Sequence, residues 1–338
     1  EYQDLLRVSV ASAGNDHRLG ANEAPPAIVS VFLGTELTNI MEAIIKGKKY
    51  DHDEEALLKL SGEVIPALTQ DNTDRNRTSP FAFTGNKFEF RMLGSAFSIA
   101  GPNIVLNTIV AEALDQFADK LEKAADKDAA IKKLIKETFA KHSRIVFNGN
   151  GYTDAWVEEA KSRGLLNLKS TPEALPYMEA KKNIDLFVKH GIFTEAEVRS
   201  RVEILLENYV KTINIEALTM LDMLHKDILP GAAAYTGDLL GNAATKKALG
   251  IKNCFEADLA TKLSDLTAKM YNSGQKLAKG LQGAEKCVDM QAEANYYHDT
   301  VLKEMEILRS YADAAENLIG EDYLPYPTYG KLLYGVNN

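Results

Sequence analysis

A helical periodicity begins near Pro102 and continues almost to the end of the chain. In PNIVLNTIVAEALDQFADKLEKAA, apolar residues recur at three- and four-residue spacing, and the proline stands at the start, where a helix tolerates it. Later helical segments begin with Thr or Asp caps and end at Gly, and the two longest exceed about 30 residues. Residues 126–338 are therefore predicted to form an α-helical region, a bundle with long antiparallel members.

The first 101 residues have a different pattern. Short β-like runs, PPAIVSVFLG, SPFAFTG and KFEFRML, are separated by turn residues and by one helical stretch, DEEALLKLSGEVIPAL. The predicted fold class is therefore α+β, with antiparallel strands and helices followed by a predominantly α-helical bundle region.

Length and charge limit the classes of protein. The chain has 338 residues, so two structural units, or one domain with a large appendage, are expected. A net charge of −9 argues against broad binding of nucleic acid or of an anionic membrane, because both depend on an excess of Lys and Arg. No apolar run approaches the roughly 18–20 residues of a membrane span.

Cysteine usage and the first residue give two further expectations. Cys254 and Cys287 show no CxxC or Cys/His spacing, so neither a zinc site nor a disulfide framework is predicted, and a reducing cytosol fits. The chain begins without Met on a structured-looking segment, so we expect a fragment or a processed piece of a longer protein. Phosphate-loop, GxGxxG and HExxH motifs are absent from the sequence.

Polar residues cluster in AGNDHRLGANEAPP, residues 13–26. Its glycines and asparagines permit tight turns, and its two prolines stiffen the exit. Such a loop brings Arg18 and Glu23 close together. Taken alone, the cluster is most simply interpreted as a surface ion pair.

Two more clusters follow. DRNRTSPF, residues 74–81, places Arg75 and Arg77 beside hydroxyl residues, and fork-shaped guanidinium groups suit phosphate or carboxylate. In KFEFRM the period of two puts Lys87, Glu89 and Arg91 on one strand face. The opposite face, predicted to anchor the strand in the core, consists of Phe88, Phe90 and Met92.

In this order the motifs resemble the C-terminal part of the glutamine synthetase catalytic domain. That family has Arg-Leu, a turn and Glu-Ala-Pro, then Asn-Arg, then a strand reading Glu-x-Arg, then a helix. This chain has RL at 18–19, EAP at 23–25, NRT at 76–78 and EFR at 89–91, followed by a helix. The wording GNDHRLGANEAPPAIVSVFLG and the long helical region resemble the type III glutamine synthetases.

The resemblance implies a domain organisation. Residues 1–125 would be the C-terminal part of the catalytic domain, with a helical insertion at about 35–70, and residues 126–338 the helical C-terminal region. Relative to shorter members of the family, a second arginine expected after Asn-Arg is replaced around Ala82, and Lys87 is the basic residue before the Glu-x-Arg strand. Phosphate contacts are therefore expected to be distributed differently.

The resemblance also implies a reaction. Glutamine synthetases amidate glutamate to glutamine with ATP through γ-glutamyl phosphate, and Mg²⁺ or Mn²⁺ ions bridge the phosphate oxygens. By this resemblance Glu89 would ligate a metal, since hard divalent cations prefer carboxylate oxygen. Arg91 would be catalytic and substrate-binding, because it would stabilise the phosphoryl group and the substrate as negative charge moves.

Four further roles are implied in the same way. Arg77 would contact the phosphates of ATP, assisted by Lys87. Arg18 would clamp the glutamate carboxylate, where a planar fork orients the substrate better than Lys could. Glu23, on its hinged loop, would close the site, help to bind ammonium and take its proton.

The implied partners are glutamate, ammonium and ATP, without nucleic acid or membrane, in a cytoplasmic, ring-shaped homo-oligomer that would be a dodecamer. The family's remaining metal ligands and its nucleotide loop lie upstream of the matching region, and His17 is no substitute for them. We therefore expect the chain by itself to have no synthetase activity. Two alternatives stay open: a related γ-glutamyl–amine ligase, and a non-catalytic helical assembly module.

Overall fold

The computed structural model describes residues 1–50 and 79–335, together with the backbone of two short strands at 57–58 and 68–69. The chain divides into two compact units, Glu1–Leu205 and Leu206–Asn338. The family resemblance suggests a different boundary, near residue 125, between the catalytic domain and the helical region. That boundary stays a prediction. The described residues are mostly helical, with a small sheet in the first unit.

The first unit contains the sheet that carries the Glu-x-Arg motif. Its strands lie in the order β1-β4-β5; β1 pairs with β4 in parallel, and β4 pairs with β5 in antiparallel fashion. The predicted antiparallel arrangement therefore applies to one of its two pairings. Two further strands, β2 and β3, form a separate antiparallel pair. The strands are β1 Val31–Phe32, β2 Leu57–Leu58, β3 Leu68–Thr69, β4 Phe81–Phe83 and β5 Phe88–Phe90.

Helices make up most of the rest of this unit, and their caps follow the sequence. Asp126 accepts a hydrogen bond from the backbone N–H of Ala129 at the start of α5, and Thr153 accepts one from Trp156 at the start of α6. The helices are α1 Gln3–Val8, α2 Ala13–Arg18, α3 Thr35–Lys46, α4 Ala100–Glu122, α5 Lys127–His142, α6 Asp154–Ser162, α7 Thr171–Ala174 and α8 Lys181–Lys189.

The structure differs from the sequence interpretation at residues 57–58 and 68–69. A helix was expected there, whereas Leu57–Leu58 and Leu68–Thr69 pair as strands. Gly62 and Pro66 interrupt the helical pattern, because glycine weakens a helix interior and proline removes one of its hydrogen bonds. The remaining residues from 51 to 78 lie outside the described part of the chain.

The aromatic face of β5 is less buried than the sequence predicts. Met92 is fully buried, but Phe88 is 49% exposed. Phe88 instead contacts the rings of Phe81 and Phe83 on the neighbouring strand, at centroid distances of 5.5 and 5.3 Å. Because β5 is an edge strand, neighbours cover its aromatic residues from one side only.

A small core lies beside the sheet. Trp156 on α6 is 1% exposed and packs with Ile28 and Leu165, and Phe147 stacks on the indole ring at a centroid distance of 3.6 Å. Ile28 lies two residues after AGNDHRLGANEAPP, whose first six residues form α2, so α6 supports the exit of the loop that follows α2.

The second unit is formed by long helices. The final segments are α9 Glu195–Met223, which begins in the first unit, α10 Leu229–Ala248, α11 Phe255–Ala284, α12 Met290–Tyr296, α13 Leu302–Glu316 and α14 Tyr329–Tyr334. Helix α11 packs against both α10 and α13, as expected for a bundle. None of the described helices is both long enough and apolar enough to cross a membrane.

The helical run that begins with α9 continues past Pro230. A π-helical turn at residues 224–228 links α9 directly to α10, and Pro230 lies in the first turn of α10. Proline has no N–H and clashes with the preceding turn of a regular helix, and a π-bulge relieves that conflict by changing the hydrogen-bond spacing. The helix therefore accommodates Pro230 through a local distortion and does not end there.

A charged network that the sequence pattern does not predict joins α4 to α8. The Glu112 carboxylate accepts hydrogen bonds from Lys189 Nζ at 2.7 Å and from Gln116 Nε2 at 2.8 Å, and it contacts His190 Nε2 at 2.8 Å. Hydrogen bonds from Lys189, Gln116 and His190 lower the pKa of Glu112 from 4.5 to about 2, against an opposing effect of burial.

This pKa gives a pH prediction. Because the folded-state pKa of Glu112 is depressed, its contribution to stability is fully present above its ordinary pKa of 4.5 and is lost as the pH falls toward about 2. We expect Glu112→Gln to lower the melting temperature of the full-length protein at pH 7 by several degrees. The difference in melting temperature between Glu112→Gln and the wild-type protein should become smaller below pH 4.5.

The matched control is Glu207→Gln, which alters an exposed pair with Lys211 and should have little effect at any pH. A gap between wild type and Glu112→Gln that stays constant from pH 7 to pH 3 would contradict the proposed linkage.

Candidate functional site

Strand β5 presents a charged wall formed by Lys87, Glu89 and Arg91. The Glu89 carboxylate accepts hydrogen bonds from Arg91 Nε at 3.3 Å and Arg91 Nη2 at 3.2 Å, and Lys87 Nζ lies 3.4 Å from Glu89 Oε1. The three residues alternate along the strand, so they share a face as the sequence predicts. The Glu89 side chain is 39% exposed, whereas that of Arg91 is 12% exposed.

The wall holds the pKa of Glu89 below its ordinary value. The hydrogen bond from Arg91 is the main cause that lowers the pKa of Glu89, burial opposes it, and the hydrogen bond from Lys87 adds to the lowering. An ionised and partly exposed carboxylate can serve as an oxygen ligand to a hard cation. One anion between two cations also leaves the wall with net positive charge, which suits a phosphate.

Arg18 is tied to the end of this strand. Its Nη1 donates to the carbonyl oxygen of Met92 at 3.1 Å and to Asn15 Oδ1 at 3.4 Å, and its Nη2 donates to the carbonyl oxygen of Arg91 at 3.2 Å. A guanidinium group has five N–H donors. Three of these donors therefore bind oxygens within the fold. Among the described residues, Nε and one hydrogen of Nη2 have no partner.

The N–H donors of a guanidinium group lie in pairs along the edges of one plane. Such an edge can bind both oxygens of a carboxylate at once, which fixes the orientation of the bound group. Arg18 is half-buried and makes three hydrogen bonds to the fold, so the fold sets its position. The predicted carboxylate clamp is compatible with this geometry.

Asn15 organises Arg18 and was missed by the sequence interpretation. Its side-chain amide donates to the carbonyl oxygens of Val10 at 2.8 Å and Met92 at 2.9 Å, while its Oδ1 accepts from Arg18. Asn15 is 3% exposed, so these bonds form away from water. Its spacing of three residues from Arg18 places both on one side of α2, a signal present in the sequence.

A buried ion pair holds α2 from the other side. Arg7 Nη2 donates to Asp16 Oδ1 at 3.0 Å, and Arg7 Nε donates to the carbonyl oxygen of Leu168 at 2.7 Å. Asp16 also accepts from the backbone N–H of Thr171. Burial raises the pKa of Asp16 and lowers that of Arg7, and the attraction between the two charges opposes both shifts.

Glu23 lies in the loop after α2 in an unusual backbone conformation. Its φ angle is 61°, and it is the only residue other than glycine with positive φ in the described part of the chain. Its side chain is exposed, and the structure gives no ion pair between Glu23 and Arg18. The simple interpretation of these two residues as a surface ion pair is therefore wrong.

The loop around Glu23 is closed by its own backbone. Gly20 N–H donates to the carbonyl oxygen of Pro25 at 2.9 Å, and Ala24 N–H donates to that of Ala21 at 3.1 Å. A side chain from a distant part of the sequence also reaches the loop, because the Tyr152 hydroxyl donates to the carbonyl oxygen of Ala24 at 2.7 Å. Tyr152 was not identified from the sequence.

The structure thus brings the side chains of Lys87, Glu89 and Arg91 together and ties Arg18 to the backbone at the end of their strand. Glu23 lies on the loop that follows the helix of Arg18. Arg77 and its neighbour Arg75 lie outside the described residues, so their predicted contacts with ATP remain predictions.

A metal site is incomplete in this part of the chain. The described residues contain no group of three or more His, Cys, Asp or Glu side chains that could hold an ion. Glu89 fits the role of one ligand, because it is ionised and partly exposed, and further ligands would have to come from elsewhere in the protein.

The fold and the site define a chain in which a small sheet presents a cationic wall around one carboxylate, ahead of a long helical region. Residues 130–247 match the family model of the glutamine synthetase C-terminal domain.

The chain is also similar along nearly its whole length to curated glutamine synthetases. It is 46% identical to the glutamine synthetase of Butyrivibrio fibrisolvens over 347 residues, which cover 99% of this chain and 48% of that protein. It is 39% identical to the type-3 glutamine synthetase of Dictyostelium discoideum, over 98% of this chain and 46% of that protein. It is 37% identical to the glutamine synthetase of Bacteroides fragilis (strain YCH46), over 98% of this chain and 47% of that protein.

The chain therefore resembles the glutamine synthetases along nearly its whole length, as the motifs predict. It spans about half the length of the curated relatives that it matches.

The conformation of Glu23 leads to a stability prediction. A side chain in the left-handed region costs about 1 kcal/mol or more, and glycine avoids this cost. We therefore expect Glu23→Gly to be more stable than Glu23→Ala by about 1 kcal/mol, although both variants lack the carboxylate. Denaturant unfolding of the two variants measures the difference. Equal stability would show that the backbone at residue 23 is not held in the left-handed conformation.

Proposed function

We propose that the chain is part of a type III glutamine synthetase, and that the full-length protein is an ATP-dependent glutamate–ammonia ligase. Residues 1–125 would form the C-terminal part of its catalytic domain, with an insertion at about 35–70, and residues 126–338 its helical C-terminal region. The observation that carries the proposal is the similarity to glutamine synthetases over 99% of the chain. The wall on β5 supports it, because an ionised carboxylate between two cations suits phosphoryl transfer.

In the first step, an oxygen of the glutamate γ-carboxylate would attack the γ-phosphorus of ATP, and the bond to the ADP oxygen would break. Arg91 and Lys87 would stabilise negative charge as the phosphoryl group moves, and Arg77 would hold the ATP phosphates. Glu89 would supply one ligand to Mg²⁺ or Mn²⁺, which when bound neutralises charge on the phosphate oxygens. The products of this step are γ-glutamyl phosphate and ADP.

In the second step, Glu23 would accept a proton from ammonium, and the ammonia nitrogen would attack the carbonyl carbon of γ-glutamyl phosphate. The bond from that carbon to the phosphate oxygen breaks, a proton passes from the attacking nitrogen to the departing phosphate, and glutamine and phosphate leave. Arg18 would keep the substrate in place through its planar guanidinium group.

The wider setting is proposed on the same basis. Substrates would be glutamate, ammonium and ATP, and the protein would act in the cytoplasm as a ring-shaped homo-oligomer, a dodecamer by family resemblance. Because the described residues offer Glu89 as a single metal ligand, we also propose that this chain alone does not make glutamine.

Substitution of Glu89 tests the proposed reaction. In the full-length protein we expect Glu89→Gln to lower kcat for glutamine formation by about a hundredfold or more, since a site charge that acts in the transition state is lost. Glutamine and phosphate are measured with ATP, glutamate and ammonium. The control is Glu42→Gln, because Glu42 also pairs with a lysine, but on the exposed face of α3.

Retained turnover in Glu89→Gln would favour a structural role for the wall. The same assay with methylamine in place of ammonium tests the acceptor. Faster amide formation with methylamine than with ammonium would assign the protein to the γ-glutamyl–amine ligases instead.

Substitution of Arg18 tests the carboxylate clamp. Lysine keeps the charge but lacks the planar fork, so we expect Arg18→Lys to raise KM for glutamate about tenfold or more, while KM for ATP changes little. Arg199→Lys, at an exposed ion pair with Glu195, is the matched control and should leave both constants unchanged. An equal rise in both KM values would mean that Arg18 acts on the fold rather than on glutamate.

A further inference from the structure

The loop that carries Glu23 has a strained centre and needs support from outside. Glu23 has a positive φ angle, a conformation that persists only where the surrounding structure holds it. The short backbone bonds within the loop close it on itself but do not attach it to the rest of the fold. Ala24, directly after Glu23, is 2% exposed and is the point where the loop meets the protein.

Tyr152 supplies an attachment at that point. Its hydroxyl donates to the carbonyl oxygen of Ala24 at 2.7 Å, across 128 residues of sequence. Ala24 contributes this oxygen through the peptide bond that precedes Pro25, so the bond acts one residue from Glu23 on the side where the loop leaves toward the core. Pro25 is itself buried.

The segment around Tyr152 is itself well anchored. Tyr152 N–H donates to Asn150 Oδ1 at 3.0 Å, and the next residue, Thr153, caps helix α6. One turn into that helix, Trp156 is buried against Ile28, four residues after Ala24. The helix therefore holds the loop through its packed indole ring and through the Tyr152 hydroxyl that precedes it.

We propose that the Tyr152 hydroxyl is a positioning group for Glu23, so that the family's C-terminal domain, matched over residues 130–247, contributes to the ammonium step of the reaction. This inference rests on the proposed function and adds a residue to it. Tyr152 does not touch the reacting atoms; it fixes the loop from which the Glu23 carboxylate reaches ammonium.

A loosened loop has a defined chemical consequence. When Glu23 is misplaced, water can attack γ-glutamyl phosphate in place of ammonia. The acyl carbon or the phosphorus gains the water oxygen, the carbon–oxygen–phosphorus linkage breaks, and glutamate and phosphate form. The net reaction is then hydrolysis of ATP to ADP and phosphate, with glutamate regenerated and no glutamine formed.

The test uses Tyr152→Phe in the full-length protein, because this change removes only the hydroxyl of a side chain that is 41% exposed. We expect KM for ammonium to rise about threefold to tenfold, as for loss of one hydrogen bond, with KM for ATP and for glutamate unchanged. The ratio of phosphate released to glutamine formed should rise above the wild-type ratio.

Two controls separate positioning from general structure. Tyr296→Phe removes another tyrosine hydroxyl that donates to a backbone carbonyl, that of Gly280 at 3.0 Å, and should leave all constants unchanged. In a Glu23→Ala background, Tyr152→Phe should cause no further change in the ratio of phosphate to glutamine, because Tyr152 acts through Glu23.

An unchanged KM for ammonium and an unchanged ratio in Tyr152→Phe would overturn the inference, and so would an equal rise in all three KM values. These outcomes are distinct from failure of the proposed function, in which the wild-type protein itself forms no glutamine from glutamate, ammonium and ATP.

Discussion

The guanidinium group of Arg18 is the link on which the candidate site depends. It donates to the carbonyl oxygens of Arg91 and Met92, 73 and 74 residues further along the sequence, at the point where strand β5 ends. The helix that precedes the Glu23 loop and the strand that carries Glu89 therefore keep a fixed separation. Asn15 strengthens this link, because one buried amide binds both Arg18 and the carbonyl oxygen of Met92.

Support for this link comes from residues well beyond the predicted catalytic segment. A buried ion pair usually costs about as much desolvation energy as its attraction returns, so the contact of Arg7 with Asp16 is better understood as fixing geometry than as adding stability. Both side chains also bind backbone groups, Arg7 at residues 168–169 and Asp16 at Thr171. Helix α2 is thus oriented by residues 168–171, which the family resemblance assigns to the helical region. Residues on both sides of a family boundary can contact each other, because a helix or loop is positioned by every residue that packs against it.

Sequence patterns predicted the parts of the site that are local. The period of two in KFEFRM placed Glu89 and Arg91 on one face, and Thr and Asp caps marked the starts of α5 and α6. Contacts between residues that are distant in sequence could not be predicted from such local patterns. The exposure of Phe88 follows from its edge position, and the network around Glu112 depends on the packing of α4 on α8. Residues distant in sequence, such as Tyr152, become recognisable only when the fold brings them to the loop.

Glu89 and Arg91 cannot be assigned independent roles, because they share their hydrogen bonds. Arg91 directs Nε and Nη2 at one oxygen of Glu89, so a phosphoryl oxygen that binds those same donors competes with the carboxylate. A group that binds the carboxylate weakens its hold on Arg91 in turn. Under the proposed function, the affinity of either residue for its ligand would therefore depend on whether the other is occupied, as for any two groups in one hydrogen-bonded network. Lys87, 65% exposed and 3.4 Å from the second carboxylate oxygen, can keep Glu89 charge-balanced while Arg91 changes partner. Under the proposed function, this arrangement would favour concerted binding of the anionic and cationic ligands at the strand over binding of either one alone.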